Sequence, residues 1–232
     1  MATLHPLREG IGSTVVDVSQ WMISHSTTSP LLAGVPENPQ KLILVTCYRR
    51  ENIGAPMRSV ALAIKHLSEM HPEIHFLFPL HPNPSVRENV RPVLADQPGV
   101  SLCEPLNHDE FLSALQQSRF VLSDSGGVQE EATALGKPVL VLRRETERPE
   151  GVTAGTLRLI GTDVQDIIRE TENLLTNPAA YESMTNGSNV FGDGHAAEHI
   201  TRILEEKLTP SARARTSEPR IAAFDLMHKK GQ

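Results

Sequence analysis

The stretch SDSGGVQEEATALGKPV, residues 123–139, sets Ser125, Gly126 and Gly127 between an apolar, strand-like run and a helix-like run that opens with Gln129, Glu130 and Glu131. Glycines at a helix start let backbone N–H groups approach an anion closely, and a serine hydroxyl adds one more donor, so this pattern suits a phosphate. A carboxylate beside a phosphate repels it. Glu131, about one helical turn further on, is therefore expected to face a neutral polyol such as the hydroxyls of a ribose. A Gly-Gly turn followed by acids that merely favour a helix N-terminus would use the same letters without any ligand, and from this stretch alone the two readings carry similar weight.

Two arginine-bearing segments repeat the theme. TCYRREN, residues 46–52, puts Arg49 and Arg50 directly after a strand-like run, with Glu51 placed to orient one of them, and RRETERPE, residues 143–150, does the same after a later run. Forked guanidinium groups complement a diphosphate, although an exposed arginine pair on a loop is about as common. Phe111, after NHDE, could border a base ring, and His81, in PLHPNP, lies near the same edge. Taken singly, Phe111 is better explained as core and His81 as a loop histidine bonded to backbone. His195, Glu198 and His199 form H-x-x-E-H, a zinc-protease pattern, but a third ligand is missing and Asp193-Gly194 reads as the start of a helix. No metal is expected there.

The elements that must position these residues follow from periodicity. Between about residues 41 and 161, KLILVTC, IHFLFPLH, VSLCEPL, FVLSD and KPVLVLR read as strands, with LRLIG as a sixth, and segments of helical period lie between them. Such alternation implies an α/β fold, a Rossmann-like doubly wound parallel sheet with helices on both faces. Residues 162–187 read as one or two helices with Thr162 or Asp163 as N-cap and Asn177-Pro178 as a break, and AAEHITRILEEKL as a last helix. The expected organisation is a linker and helix segment at 1–40, with its helix around STVVDVSQWMI, a nucleotide-binding domain at 41–208, and a flexible tail at 209–232 in which IAAFDLMHKK forms a short helix.

Composition narrows the class. The 232 residues are 39% hydrophobic and carry a formal net charge of -6, enough for a full core and without the basic surface that grips nucleic acid. The 2 cysteines, Cys47 and Cys103, lie in strand-like runs and form no metal-binding pattern. No stretch has the length of a membrane span or signal peptide, so a cytoplasmic protein without membrane contact is expected.

VTCYRREN, PLHPNPSVRE, SDSGGVQEEATALGKPVLVLRRETERPE and FGDGHA resemble, in order and spacing, the C-terminal half of non-hydrolysing UDP-N-acetylglucosamine 2-epimerases, from about residue 41 to about 205. The resemblance implies two Rossmann-like domains in the glycosyltransferase B (GT-B) arrangement, interconversion of UDP-GlcNAc and UDP-ManNAc by elimination and re-addition of UDP, and no cofactor. It further implies that Ser125, Gly126 and Gly127 bind the diphosphate, Glu131 the ribose, Arg148 the phosphates and Phe111 the uracil side. There are two departures. Tyr48 stands where the family usually has an active-site histidine, and a phenol keeps its proton at neutral pH where an imidazole exchanges one. GSTVVDV, near the N-terminus, is similar to the family's interdomain link, so the acidic catalytic residues of an N-terminal domain are expected from a complementary half, with a homodimer as the other arrangement. The alternatives are a catalytically inactive nucleotide-sugar-binding or regulatory module and, further off, a glycosyltransferase of similar architecture.

Overall fold

The computed structural model describes residues 10–25, 35–36, 38–186 and 190–208. The tail expected at 209–232, including its short helix, lies outside the described residues. Six strands, β1 (Leu42–Thr46), β2 (His75–Pro79), β3 (Val100–Cys103), β4 (Phe120–Ser123), β5 (Val139–Val141) and β6 (Leu157–Leu159), form one sheet in the order β3-β2-β1-β4-β5-β6. All five pairings are parallel. This is the doubly wound order, and its direction reverses between β1 and β4, where ligands of such sheets collect at the strands' carboxyl ends.

Alternation along each strand builds two cores. Ile43 and Val45 of β1, Phe76 and Phe78 of β2, and Phe120 and Leu122 of β4 face one side, where they meet α2 (Ala55–Met70), α3 (Pro84–Leu94), α7 (Val164–Thr176) and α8 (Pro178–Thr185). Leu42, Leu44, Leu77 and Val121 face the other, against α1 (Thr14–His25), α4 (His108–Gln116) and α5 (Gly126–Ala134). The strands are buried on both faces, which is why they read as nearly continuous apolar runs. On α2 the buried positions Met57, Val60, Ala61, Ile64 and Leu67 fall at helical spacing on one stripe.

Helix ends follow side-chain chemistry. Asn107 and Glu110 close a capping box on α4, Asp163 accepts from the amides of Gln165 and Asp166 at the start of α7, and Asn177 ends α7 while capping α8 ahead of Pro178. Of the two N-cap candidates, Asp163 holds the position. A short helix not foreseen in the sequence, α6 (Pro149–Thr153), follows Arg148. The last helix, α9 (Ala196–Leu208), begins at the end of one compact unit and continues from residue 198 into a second. Its first two amides, Ala196 and Ala197, donate to the Asp17 carboxylate of α1 at 3.0 and 2.8 Å. Among the described residues no helix is long and apolar enough to cross a membrane.

One fully buried carboxylate ties the two central strands together at the switch point. Asp124, directly after β4, accepts from the amides of Tyr48 (3.0 Å) and Arg49 (2.8 Å) and from Asn52 Nδ2 (2.9 Å), all on the segment after β1. The Asp124 amide donates back to the carbonyl of Thr46, and the hydroxyls of Thr46 and Ser123 meet at 2.7 Å. The same carboxylate and, more strongly, burial push the Cys47 thiol well above its ordinary range, which makes it an inert packing group. Asp124→Ala strands three donors, and at about 1 to 3 kcal/mol per unpaired buried group it is expected to cost roughly 3 kcal/mol or more; Asp124→Asn keeps one acceptor oxygen and should cost less. Urea denaturation midpoints measure both, and an alanine variant with the parent's midpoint would show that the segment holds without the carboxylate.

Candidate nucleotide site

The start of α5, like those of α2 and α6, carries no side-chain cap. Asn38, Asn83, Asn107, Asp163 and Asn177 each cap the helix they precede with a side-chain oxygen, whereas Ser125, the N-cap of α5, makes no such bond. Its hydroxyl instead accepts from the Tyr48 phenol at 2.7 Å, and its amide donates to Ser123 Oγ at 3.0 Å. The amides of Gly126, Gly127 and Val128 donate to no described residue, since the first helical bond runs from Gln129 to the Ser125 carbonyl. These orphan donors stand at the positive end of the helix dipole.

The glycines themselves are not demanded by the fold. Neither has the positive φ that favours glycine. A Cβ on Gly127 would meet nothing within 4 Å, and one on Gly126 would lie at ordinary contact distance, 3.5 Å from Arg49 Nη2 and 3.9 Å from Arg148 Nη2. Open space in front of bare amides, flanked by two guanidinium groups, is an anion site in its essentials.

Both arginines are held from behind by acids. Arg148 Nε pairs with Glu130, whose other oxygen accepts from Ser13 of the segment preceding α1. Arg49 reaches Glu147 at 3.4 Å, and Glu147 is also gripped by Arg143 through two bonds of 2.7 and 3.0 Å. The Arg143 bonds chiefly hold the Glu147 carboxyl down at about 2, so it stays ionised at any working pH. The expectation that Glu51 orients Arg49 or Arg50 is not met: Glu51 pairs with Arg143 at 3.0 Å, a guanidinium that the fold brings from the segment after β5. Arg50 is exposed.

Next to the amide end lies a cleft of about 310 Å³ lined by Tyr48, His81, Phe111, Ser125, Gly127 and Glu131, among others. Tyr48 stacks on His81 with ring centroids 5.5 Å apart, and His81 Nδ1 accepts from the Asn83 amide, the backbone bond expected of it. Phe111 is half-buried on α4 and borders the opposite wall. Glu131 is buried, and its Oε1 accepts from His108 Nε2 at 2.9 Å and more distantly from Ser19 Oγ at 3.4 Å. A larger cleft, about 420 Å³, lies around Glu51, Arg143, Arg144 and Glu145, where Arg143 already pairs with Glu51 at 3.0 Å.

The structure thus brings Tyr48, Phe111, Ser125, Gly126, Gly127, Glu131 and Arg148 to the carboxyl edge between β1 and β4. Asp124, Glu130, Ser13, Ser19 and His108 were not foreseen. The two serines lie more than a hundred residues from their acids, so no local pattern could have found them, while His108 sits beside Phe111 in NHDE and was within reach. Among the described residues no group of three or more His, Cys, Asp or Glu is placed to hold a metal ion.

The family model for UDP-N-acetylglucosamine 2-epimerase matches residues 9–205. The Bacillus subtilis UDP-N-acetylglucosamine 2-epimerase is 45% identical over 85% of this chain and 50% of its own length. The Neisseria meningitidis UDP-GlcNAc 2-epimerase, solved bound to UDP-GlcNAc, superposes with a TM-score of 0.79 at 40% identity over 84% of this chain and 54% of that one. S. aureus MnaA in its co-structure with UDP gives 0.80 at 38% identity over 85% and 54%. The GT-B kind of α/β fold expected above is the fold of these enzymes. The chain spans about half the length of the curated relatives it matches. With the family model covering most of its residues, the chain belongs to the UDP-N-acetylglucosamine 2-epimerase family.

Proposed function

We propose that this chain is the UDP-holding, C-terminal half of a non-hydrolysing UDP-N-acetylglucosamine 2-epimerase. The observation that carries it is the uncapped start of α5, where three amides donate to no described residue and the guanidinium groups of Arg49 and Arg148 lie beside Gly126. In this assignment Ser125, Gly126 and Gly127 hold the diphosphate and Arg148 adds charge to it. Phe111 borders the uracil, and Glu131 accepts from the ribose hydroxyls. Firm attachment matters because the reaction proposed for such enzymes detaches UDP from the sugar and later re-adds it on the other stereochemical course. The C2 proton must be moved by groups outside the site described here, so turnover is expected only when an N-terminal half closes over the cleft. That relatives are solved with UDP-GlcNAc and with UDP supports the choice of ligand.

Tyr48 favours a second reading. Its hydroxyl donates to Ser125 at 2.7 Å, so it acts on the cradle as a fixed donor and not as a group that trades protons. A nucleotide-sugar-binding module without turnover would keep every contact named above. The two readings separate on mixing the chain with an N-terminal half and following release of UDP: the epimerase reading expects release, enhanced by Tyr48→His, and silence from both forms leaves the binding module.

Two further outcomes test the cradle. Glu131→Ala and Arg148→Ala should each weaken UDP binding by about 1 to 3 kcal/mol through lost charge-assisted hydrogen bonds, and calorimetric titration should show UDP bound more tightly than UMP. Gly127→Ala should leave stability unchanged or raised, since alanine suits a helix better, yet weaken UDP by roughly tenfold, the worth of one hydrogen bond to a charged oxygen. Equal affinity for UDP and UMP would contradict a diphosphate site.

A further inference from the structure

Resting on the nucleotide assignment made above, we propose that His108 is a positioning residue that sets the ribose selectivity of the site by holding Glu131 in one orientation. Glu131 is only 8% exposed, and among the described residues it has no lysine or arginine partner. A buried carboxylate without a cation needs donors to hold it, and its two come from two other elements: His108, the first residue of α4, and Ser19 of α1.

Both donors converge on the same oxygen. Oε1 takes His108 Nε2 at 2.9 Å and Ser19 Oγ at 3.4 Å, and because an ionised carboxylate only accepts, Nε2 carries the hydrogen. Oε2 receives no bond from a described residue, and Glu131 lines the cleft that holds Phe111 and Gly127. The carboxylate is therefore anchored by one oxygen and presents the other, which suits it to accept from a vicinal diol. The histidine bond is much the shorter of the two and is the main restraint on the side chain. Without it, Glu131 can rotate toward solvent or toward the amide end of α5, where it would compete with an anion.

His108 is suited to this role because it is not core. Its side chain is 45% exposed, and the capping of α4 is done by Asn107 and Glu110 on either side of it. Replacing it removes a donor and leaves the helix start intact.

The test is calorimetric titration of the whole chain with UDP, 2′-deoxy-UDP and UMP, for the parent, H108A, H108Q and E131A. The parent is expected to prefer UDP over the 2′-deoxy form by about tenfold or more, the effect of one hydrogen bond to a carboxylate, and E131A to lose that preference. H108A should lose most of it while keeping the parent's preference for UDP over UMP. H108Q, whose amide nitrogen reaches about as far as Nε2, should regain part of it. Full ribose preference in H108A overturns the inference while leaving the nucleotide assignment in place. So does a loss in H108A that H108Q does not restore. A parent chain that binds UDP and its 2′-deoxy form equally removes the roles of both His108 and Glu131 and spares the diphosphate cradle. A parent chain that binds none of the three removes the nucleotide assignment itself, and the inference with it.

Discussion

A helix begins with amide groups that its own backbone cannot satisfy, and what a protein sets opposite them decides what that helix end does. Five helices here are closed by an asparagine or aspartate side chain. α5, like α2 and α6, has no side-chain cap: Ser125 sits at the capping position but its oxygen accepts from Tyr48, and two glycines keep the approach clear. The rest of the site depends on that vacancy being held in place. Its location at the reversal of the sheet order follows from topology, and its rigidity from Asp124, which fastens the segment after β1 to the end of β4.

The adjacent acids of the QEE run now have distinct reasons. Successive residues on a helix point about 100° apart, so neighbours in sequence serve different partners. Glu130 turns to Arg148 and Ser13 and acts on the phosphate side only through the guanidinium it holds. Glu131 turns to His108 and Ser19 and lines the cleft. Repulsion of a bound anion is limited because Arg148 stands between Glu130 and the amide end, and Arg49 and Arg143 share Glu147 in the same manner. Such pre-paired arginines lose little side-chain freedom when an anion arrives, which is the advantage of orienting them in advance.

The sheet was legible because strands buried on both faces leave continuous apolar runs that helical segments interrupt; all six strands lie within the runs that read as strands, and the break at Asn177-Pro178 divides α7 from α8. The helix α6 was not, because five residues opening on Pro149 are too short to show a period. The phosphate half of the site could be read for the same reason as the sheet: glycines, serine and helix start are contiguous. The clamps on it could not. Ser13 and Ser19 reach acids that lie 117 and 112 positions away, and Asp124 looks like an ordinary turn residue until its three donors are seen to come from 72 to 76 residues earlier. Glu51 shows the opposite failure. Proximity in sequence to Arg49 and Arg50 suggested a partner, and the fold supplied a more distant one in Arg143.

A crystal structure of the chain with uridine diphosphate bears most directly on the central claim. The account predicts diphosphate oxygens within hydrogen-bonding distance of the Gly126 and Gly127 amides, with the guanidinium of Arg148 alongside. A diphosphate seated instead in the cleft of Arg143 and Arg144, with the start of α5 left bare, would contradict it.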